Sequence, residues 1–187
     1  GVKDIYVSGS CYVALKEDGS LVTWGSGSAY NSKINDPSFI NNVERVIPTN
    51  NAFCALRTDG SVFAWGHNDY GGSGGDSYTP QITFESVKQD LQSGVVDVKE
   101  MFGAFAALKD DGSVITWGDQ ENGGDSKAIQ DQLDGDVKFI RGTLYAFAAL
   151  KNDGSVTTWG RAGLGGNSDL VRDKLTEGVE EIFATNG

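Results

Sequence analysis

The 187-residue sequence is short of the residues that most catalytic and metal-binding readings need. It holds one His, His67, and two Cys, Cys11 and Cys54. A single imidazole cannot anchor a multi-His metal site, and two Cys at different repeat positions cannot build a structural zinc site by themselves. Nor do two Cys supply the disulfide framework that staples small secreted domains. A Ser-His-Asp arrangement would need His67 beside one of many Ser residues, and no strand-to-helix elbow marks the nucleophile. The glycine-rich stretch Gly71-Gly72-Ser73-Gly74-Gly75 lacks the Lys of a phosphate loop and reads as an inter-strand loop. Asn-x-Ser/Thr sequons are absent, and no apolar run approaches the roughly 18 residues of a membrane span. No basic-then-apolar signal segment occurs. The chain starts at Gly1 rather than Met, as a processed product or a segment of a longer protein would.

Positive charge is also scarce. Fifteen Lys and Arg stand against 26 Asp and Glu, a formal net charge of −11. Such a surface repels phosphate backbones and anionic headgroups, so nucleic acid and direct membrane insertion are disfavoured as partners. No catalytic group and no cofactor is expected.

What the sequence has instead is a repeat. Tyr12 to Gly25 reads YVALKEDGSLVTWG, Phe53 to Gly66 FCALRTDGSVFAWG, Phe105 to Gly118 FAALKDDGSVITWG, and Phe147 to Gly160 FAALKNDGSVTTWG. Ten residues ahead of each opening aromatic stands a Val that begins a V-x-x-[I/V] pair: Val2/Ile5, Val43/Val46, Val95/Val98 and Val137/Ile140. A fifth pair, Val179/Ile182, comes just before the end. The chain is therefore expected to be one repeat domain over 1–187, with repeats at about 1–41, 42–93, 94–135 and 136–177 and the opening strand of a fifth over 178–187. On this alignment Cys11 stands where other repeats have Ala52, Ala104 and Ala146, and Cys54 where they have Val13, Ala106 and Ala148. Both are expected to be free, buried thiols.

Each column has a physical reading. The β-branched Val pair opens a strand, and the apolar aromatic-small-Ala-Leu run is a second strand buried on both faces. The pairs Asp18-Gly19, Asp59-Gly60, Asp111-Gly112 and Asp153-Gly154 supply positive φ values for a tight turn. A third strand returns antiparallel and ends in Trp24-Gly25, Trp65-Gly66, Trp117-Gly118 or Trp159-Gly160. A Gly-rich loop follows, then an N-cap pair for a short helix: Asn31-Ser32, Asp76-Ser77, Asp125-Ser126 and Asn167-Ser168. Ile129 and Leu133, or Val171 and Leu175, then fall at i and i+4 on one stripe. In the second repeat, Tyr78-Thr79-Pro80 ahead of Val87 and Leu91 displaces the cap, and Pro37 makes the first helix the weakest. The class expected is all-β with short helices.

The block aromatic-x-A-L-x-x-D-G-S-V-x-x-W-G after G-V-x-x-[I/V] resembles the repeats of the RCC1 (regulator of chromosome condensation) β-propeller superfamily. Trp65 to Gly71 is similar to the family's W-G-x-N-x-x-G continuation. Gly123 to Leu133 is similar to the GGDS variant found in bacterial and algal arrays. The resemblance implies a β-propeller or an open propeller-like arc of four repeats. It departs from the family in having Cys11-Tyr12, Ala52-Phe53, Ala104-Phe105 and Ala146-Phe147 where a His is usual. Family propellers commonly close with seven blades. The surplus opening strand would duplicate the first in a closed four-blade ring, which favours an open arc or an arc completed by partners.

Three functions follow as expectations. The leading one is a non-catalytic protein-binding or scaffolding module, an accessory subunit or segment of a larger assembly, with Lys16, Arg57, Lys109 and Lys151 as a rim that contacts the partner. The second is a lectin-like propeller binding glycans through its Trp faces, set against the reading of Trp as core packing. The third, guanine-nucleotide exchange, is implied only by the resemblance, because no functional position of the family's best-known member matches here residue by residue. The repeated turn Asp residues are read as hairpin geometry ahead of calcium binding.

Overall fold

The computed structural model describes residues 1–36, 38, 40–73 and 82–185. The expected cap at Asp76-Ser77, the Tyr78-Thr79-Pro80 segment and Pro37 lie outside them. Four separate three-stranded antiparallel sheets follow one another along the chain. They are β1 (Val2–Ser8), β2 (Cys11–Lys16) and β3 (Leu21–Gly25); β4 (Val43–Pro48), β5 (Ala52–Arg57) and β6 (Val62–Gly66); β7 (Val95–Glu100), β8 (Ala104–Lys109) and β9 (Val114–Gly118); and β10 (Val137–Gly142), β11 (Ala146–Lys151) and β12 (Val156–Gly160). Each sheet is a blade. The first strands touch in succession, β1 to β4 to β7 to β10, and so form the inner wall of an open propeller-like arc.

The V-x-x-[I/V] spacing is explained by a bulge. In a regular strand, residues three apart point to opposite faces. Here the register shifts between Val2 and Asp4, Val43 and Arg45, Val95 and Asp97, and Val137 and Phe139. The extra residue turns the strand, so both members of the pair reach one face. In blade 2 these are Val43 and Val46, packed in the same cluster against residues of blade 1.

A single blade has no core of its own, because the three hydrophobic clusters lie between blades. One joins Val13, Leu15 and Leu21 of blade 1 to Val43, Val46, Phe53 and Trp65 of blade 2, with Ile34 and Ile40 of the connecting segment between them. The next joins Cys54, Leu56 and Val62 to Val95, Val98, Phe105 and Trp117 through Phe84 and Leu91. The third joins Ala106, Leu108 and Val114 to Val137, Ile140, Phe147 and Trp159 through Leu133. Within each blade the aromatic of the middle strand lies opposite Trp, with ring centroids 5.1–5.3 Å apart. Trp65, Trp117 and Trp159 are at most 4% exposed. The Trp117 indole N–H donates to Gly71 O (2.9 Å) and that of Trp159 to Gly123 O (3.1 Å), each on the loop of the preceding blade.

The connectors carry short helical turns at Ser32–Asn35, Phe84–Val87, Lys127–Leu133 and Asp169–Lys174. The Asx-Ser pairs divide their labour. Asn31, Asp125 and Asn167 accept from the N–H two residues on. Ser126 and Ser168 do not cap. Their hydroxyls bond Thr116 and Thr158 of the outer strand, tying the connector to the sheet edge. Connector carbonyls also take Val62 N–H and Val156 N–H, which covers edges that would otherwise be open.

The expected fifth opening strand does not form a ladder. Val179 N–H donates to Gly154 O (3.0 Å), as Val43, Val95 and Val137 do to the preceding turn glycine, but 178–185 stay irregular. In the four blades the opening strand pairs with the middle strand of its own repeat. Residues 186–187 lie outside the described residues.

Cys11 and Cys54 are free and fully buried, and burial pushes the Cys54 thiol well above its ordinary value. A thiol reagent should label neither in the native protein and both after unfolding, read by intact mass. Trp117→Phe removes the donor from Gly71 O while keeping an aromatic in the seam. It should cost about 1–3 kcal/mol in a denaturant melt, whereas Trp24→Phe, with no inter-blade bond, should cost little.

Candidate functional site

The arc has two rims. One carries the Asp-Gly-Ser turns. Only the glycine takes a positive φ, +76° to +80°, and the Asp residues do not. A bond from Gly N–H to the carbonyl three residues back closes a type I turn, and glycine then forms the bulge of a three-residue hairpin loop. The turn therefore differs from one with both central residues at positive φ. Asp18, Asp59, Asp111 and Asp153 each accept from the N–H and the hydroxyl of the Ser two residues on, at 2.8–3.0 Å and 2.6 Å. The Ser hydroxyls first, and the Ser amides second, hold all four carboxyls below the usual Asp range. Each turn glycine carbonyl then accepts Val43, Val95, Val137 or Val179 N–H, so this rim is fastened by the turns themselves.

Lys16, Arg57, Lys109 and Lys151 stand at this rim, all half-buried. Lys16 Nζ pairs with Asp18 (3.1 Å) and Lys109 Nζ donates to Asp90 O (3.0 Å). Arg57 Nε is buried. The four cations thus sit at equivalent places in separate blades, with Lys16 and Lys109 engaged with local groups. Among the described residues, no group of three or more His, Cys, Asp or Glu could hold a metal ion. Ser73 lies in a stretch with the letters of Gly-x-Ser-x-Gly, but its hydroxyl donates to Ala64 O (2.7 Å), and Gly74 and Gly75 lie outside the described residues.

The opposite rim holds the corners between first and second strands and the Trp-Gly ends of the third. The glycines are required there. Gly25, Gly66, Gly118 and Gly160 have φ of +104° to +115°, and a Cβ would come within 2.3–2.7 Å of a backbone atom at the facing corner. That close approach lets the next N–H, from Ser26, His67, Asp119 or Arg161, reach the corner carbonyl at 2.8–3.1 Å. Corners are also stitched across blades, by Asn50 N–H to Phe102 O (3.2 Å) and Phe102 N–H to Leu144 O (3.3 Å).

Upon this rigid edge runs a string of rings through blades 2, 3 and 4. His67 meets Tyr70 (5.6 Å between centroids), Tyr70 meets Phe102 (5.8 Å), and Phe102 meets Tyr145 (6.2 Å). The Arg161 guanidinium lies 5.7 Å from the Tyr145 centroid. Phe102 is 39% exposed and Leu144 38%. Together with Val7, Thr49, Lys99 and Arg141 they line a groove of about 620 Å3 that opens on the inner wall. That wall carries paired charges, with Arg45 at 2.5 Å and Lys99 at 3.0 Å from Asp97. Burial alone would raise the Asp97 carboxyl, but the bonds from Arg45 and Lys99 outweigh it and hold it low. The site offers apolar rings flanked by both signs of charge, which suits an amphipathic peptide surface.

Sequence reasoning missed this string. Its signal was variation: the corners read Gly9-Ser10, Asn50-Asn51, Phe102-Gly103 and Leu144-Tyr145, while the flanking strands hardly change.

Residues 50–71 match the family model described as the regulator of chromosome condensation (RCC1) repeat. That stretch is the second and third strands of the second blade and the loop after them, and the chain as a whole has the RCC1-like β-propeller fold. It is similar in fold to Prp20p from Saccharomyces cerevisiae, with 20% identity and TM-score 0.55 over 84% of this chain and 44% of that one. Human WBSCR16 gives 21% and 0.53 over 94% and 51%. The ectodomain of the Arabidopsis thaliana receptor kinase ACR4 gives 14% and 0.54 over 85% and 52%. The RCC1-like repeats thus span about half the length of these structures. No curated protein matches.

The turn Asp residues set an acid response. A carboxyl held low in the folded state contributes stability that is present above the unfolded value, about 3.9, and lost as pH falls through the folded one. The melting temperature should therefore drop on acidification below about pH 4. Asn at all four turn Asp positions should lower it at neutral pH and flatten the acid slope in a thermal melt series.

Proposed function

We propose that this chain is a non-catalytic protein-binding or scaffolding module, and that its partner docks on the corner rim over Phe102, Leu144 and Tyr145. The observation that carries the reading is the ring string from His67 to Arg161, which crosses three blades on an edge fastened by backbone bonds. Exposed aromatic residues on a rigid support are the groups that anchor protein interfaces, because they lose little entropy on binding. Structural relatives support the class: Prp20p is described with its binding to Gsp1p and histones, and yeast RCC1 (Prp20) was crystallised bound to Kap60.

The other two readings have less support. Three of the four Trp residues lie in seams, and two of those have their indole N–H engaged, so they offer no face to a sugar. A glycan reading would rest on Trp24 and loop carboxylates. Nucleotide exchange would rest on fold likeness at 20% identity.

Affinity capture from the native source, compared between the wild type and a Phe102→Ala/Leu144→Ser variant, tests the proposal. A specific protein partner should be retained by the wild type and lose tenfold or more in affinity with the variant, about 1.4 kcal/mol or above. Capture that the variant leaves unchanged would remove the corner rim as the docking site. A glycan-array hit lost on Trp24→Ala, or accelerated nucleotide release from a small GTPase, would move the function to one of the other readings.

A further inference from the structure

The outer strand of a blade has one edge that no other strand of its sheet covers, and the N–H and C=O groups there need partners. Blade 1 meets the need with a side chain. Thr23 N–H donates to Asn35 Oδ1 (2.5 Å) and Asn35 Nδ2 donates to Thr23 O (3.2 Å), so one carboxamide stands where a further strand would. In blade 2 the Ser73 hydroxyl donates to Ala64 O at the equivalent place (2.7 Å).

Thr116 holds that place in blade 3. Gly118 N–H donates outward to Ile82 O (2.7 Å), and residues two apart along a strand send their backbone groups the same way. Thr116 N–H and C=O therefore point away from β8. Thr116 is only 6% exposed, yet no group among the described residues bonds to either of them. Its hydroxyl is engaged on the face of the sheet, with Gly124 O and the Ser126 hydroxyl.

Beside this edge lies a hollow of about 260 Å3, walled by the half-buried Ile82, Val87 and Ile115 and rimmed by Asp90, Asp125 and Lys127. The walls are particular to blade 3. Where it has Ile115, blade 2 has Phe63, which packs on Trp65 and Phe84, and blade 4 has Thr157.

We infer that the outer edge of blade 3 receives an extended peptide segment of a partner protein. One residue of the segment gives its C=O to Thr116 N–H and its N–H to Thr116 O, and the residue next to it places an aliphatic side chain in the hollow. Asn35 supplies the chemical precedent, because its carboxamide satisfies both backbone groups of Thr23 at once. Strand addition of this kind draws affinity from main-chain bonds and selectivity from the side-chain pocket. Two carboxylates against one ammonium on the rim, in a chain of net charge −11, favour Lys or Arg beside the aliphatic residue. The corner rim over Phe102 and Leu144 is a different surface, so this inference does not rest on it.

Amide exchange and NMR titration of the isotope-labelled chain with the capped peptide Lys-Thr-Leu-Thr-Lys test this. In the free protein Thr116 N–H should exchange about tenfold or more faster than Thr23 N–H, which Asn35 holds. Added peptide should shift the Thr116 resonance saturably and slow its exchange about tenfold, leaving Thr23 unchanged. The same peptide N-methylated at both Thr residues should have no effect. Ile115→Thr, which copies blade 4, should weaken binding about fivefold with unchanged circular dichroism, and Val87→Ala serves in its place if that variant unfolds. Slow exchange of Thr116 in the free chain, no saturable shift there, or binding that N-methylation or the wall variant leaves unchanged would each overturn the inference. Shifts confined to Phe102 and Leu144 would overturn it as well, while leaving the corner rim as the docking site.

Discussion

Everything in this molecule depends on burial between neighbouring blades. Each blade is a thin antiparallel meander with two faces and no interior, so its apolar groups leave water only by meeting another blade. Full burial of a Val, Leu, Ile or Phe side chain is worth about 1.5–3 kcal/mol, and each seam collects six to eight such residues. The repeat is therefore a joint more than a unit. Its leading side carries the Val pair, the aromatic and the Trp, and its trailing side carries the small and aliphatic residues of β2 and β3 and their equivalents.

Three local devices keep the joint in register. The bulge in each inner strand puts two Val or Ile residues on one face at an odd spacing. The turn glycine carbonyl catches the Val N–H of the next blade, and the indole reaches back to a glycine carbonyl on the previous loop. Where a device lacks its counterpart, the structure shows the consequence. The Trp65 indole nitrogen is buried with no hydrogen-bond partner among the described residues, because the loop of the first blade, Ser26-Gly27-Ser28-Ala29, is not the Gly-Gly form of later blades. Trp24 of the first described blade stacks on Tyr12 at 5.3 Å and is 43% exposed.

Much of this was legible in the sequence because repetition multiplies weak signals. One V-x-x-I or one Asp-Gly says little, but four aligned copies separate three strands, a turn and a helical connector. Less legible was anything that depends on which blades touch. Val171 and Leu175 have the same i, i+4 spacing as Ile129 and Leu133, yet Leu133 is buried and Leu175 only half-buried, because burial there is decided by a neighbouring blade. The turn was read as needing positive φ at Asp, whereas a three-residue loop asks it only of glycine. Val179 and Ile182 match the opening strands letter for letter and still form no ladder. A strand exists only where a neighbour accepts its bonds.

The candidate site follows from the same logic by contrast. Residues that make seams are constrained alike in every blade, so they recur and cannot distinguish one partner from another. The corners between first and second strands need only a backbone carbonyl aimed at the Trp-Gly end, and their side chains are left free to differ. Phe102, Leu144 and Tyr145 occupy these unconstrained places, while the bonds beneath them, from Asn50 to Phe102 and from Phe102 to Leu144, are as fixed as the ladder. A uniform frame that holds non-uniform side chains at a fixed spacing is a physical basis for specificity. Here the frame presents rings along one rim and charge pairs along the inner wall beside it. A partner that fits must bring apolar groups to the first and ion-pairing groups to the second.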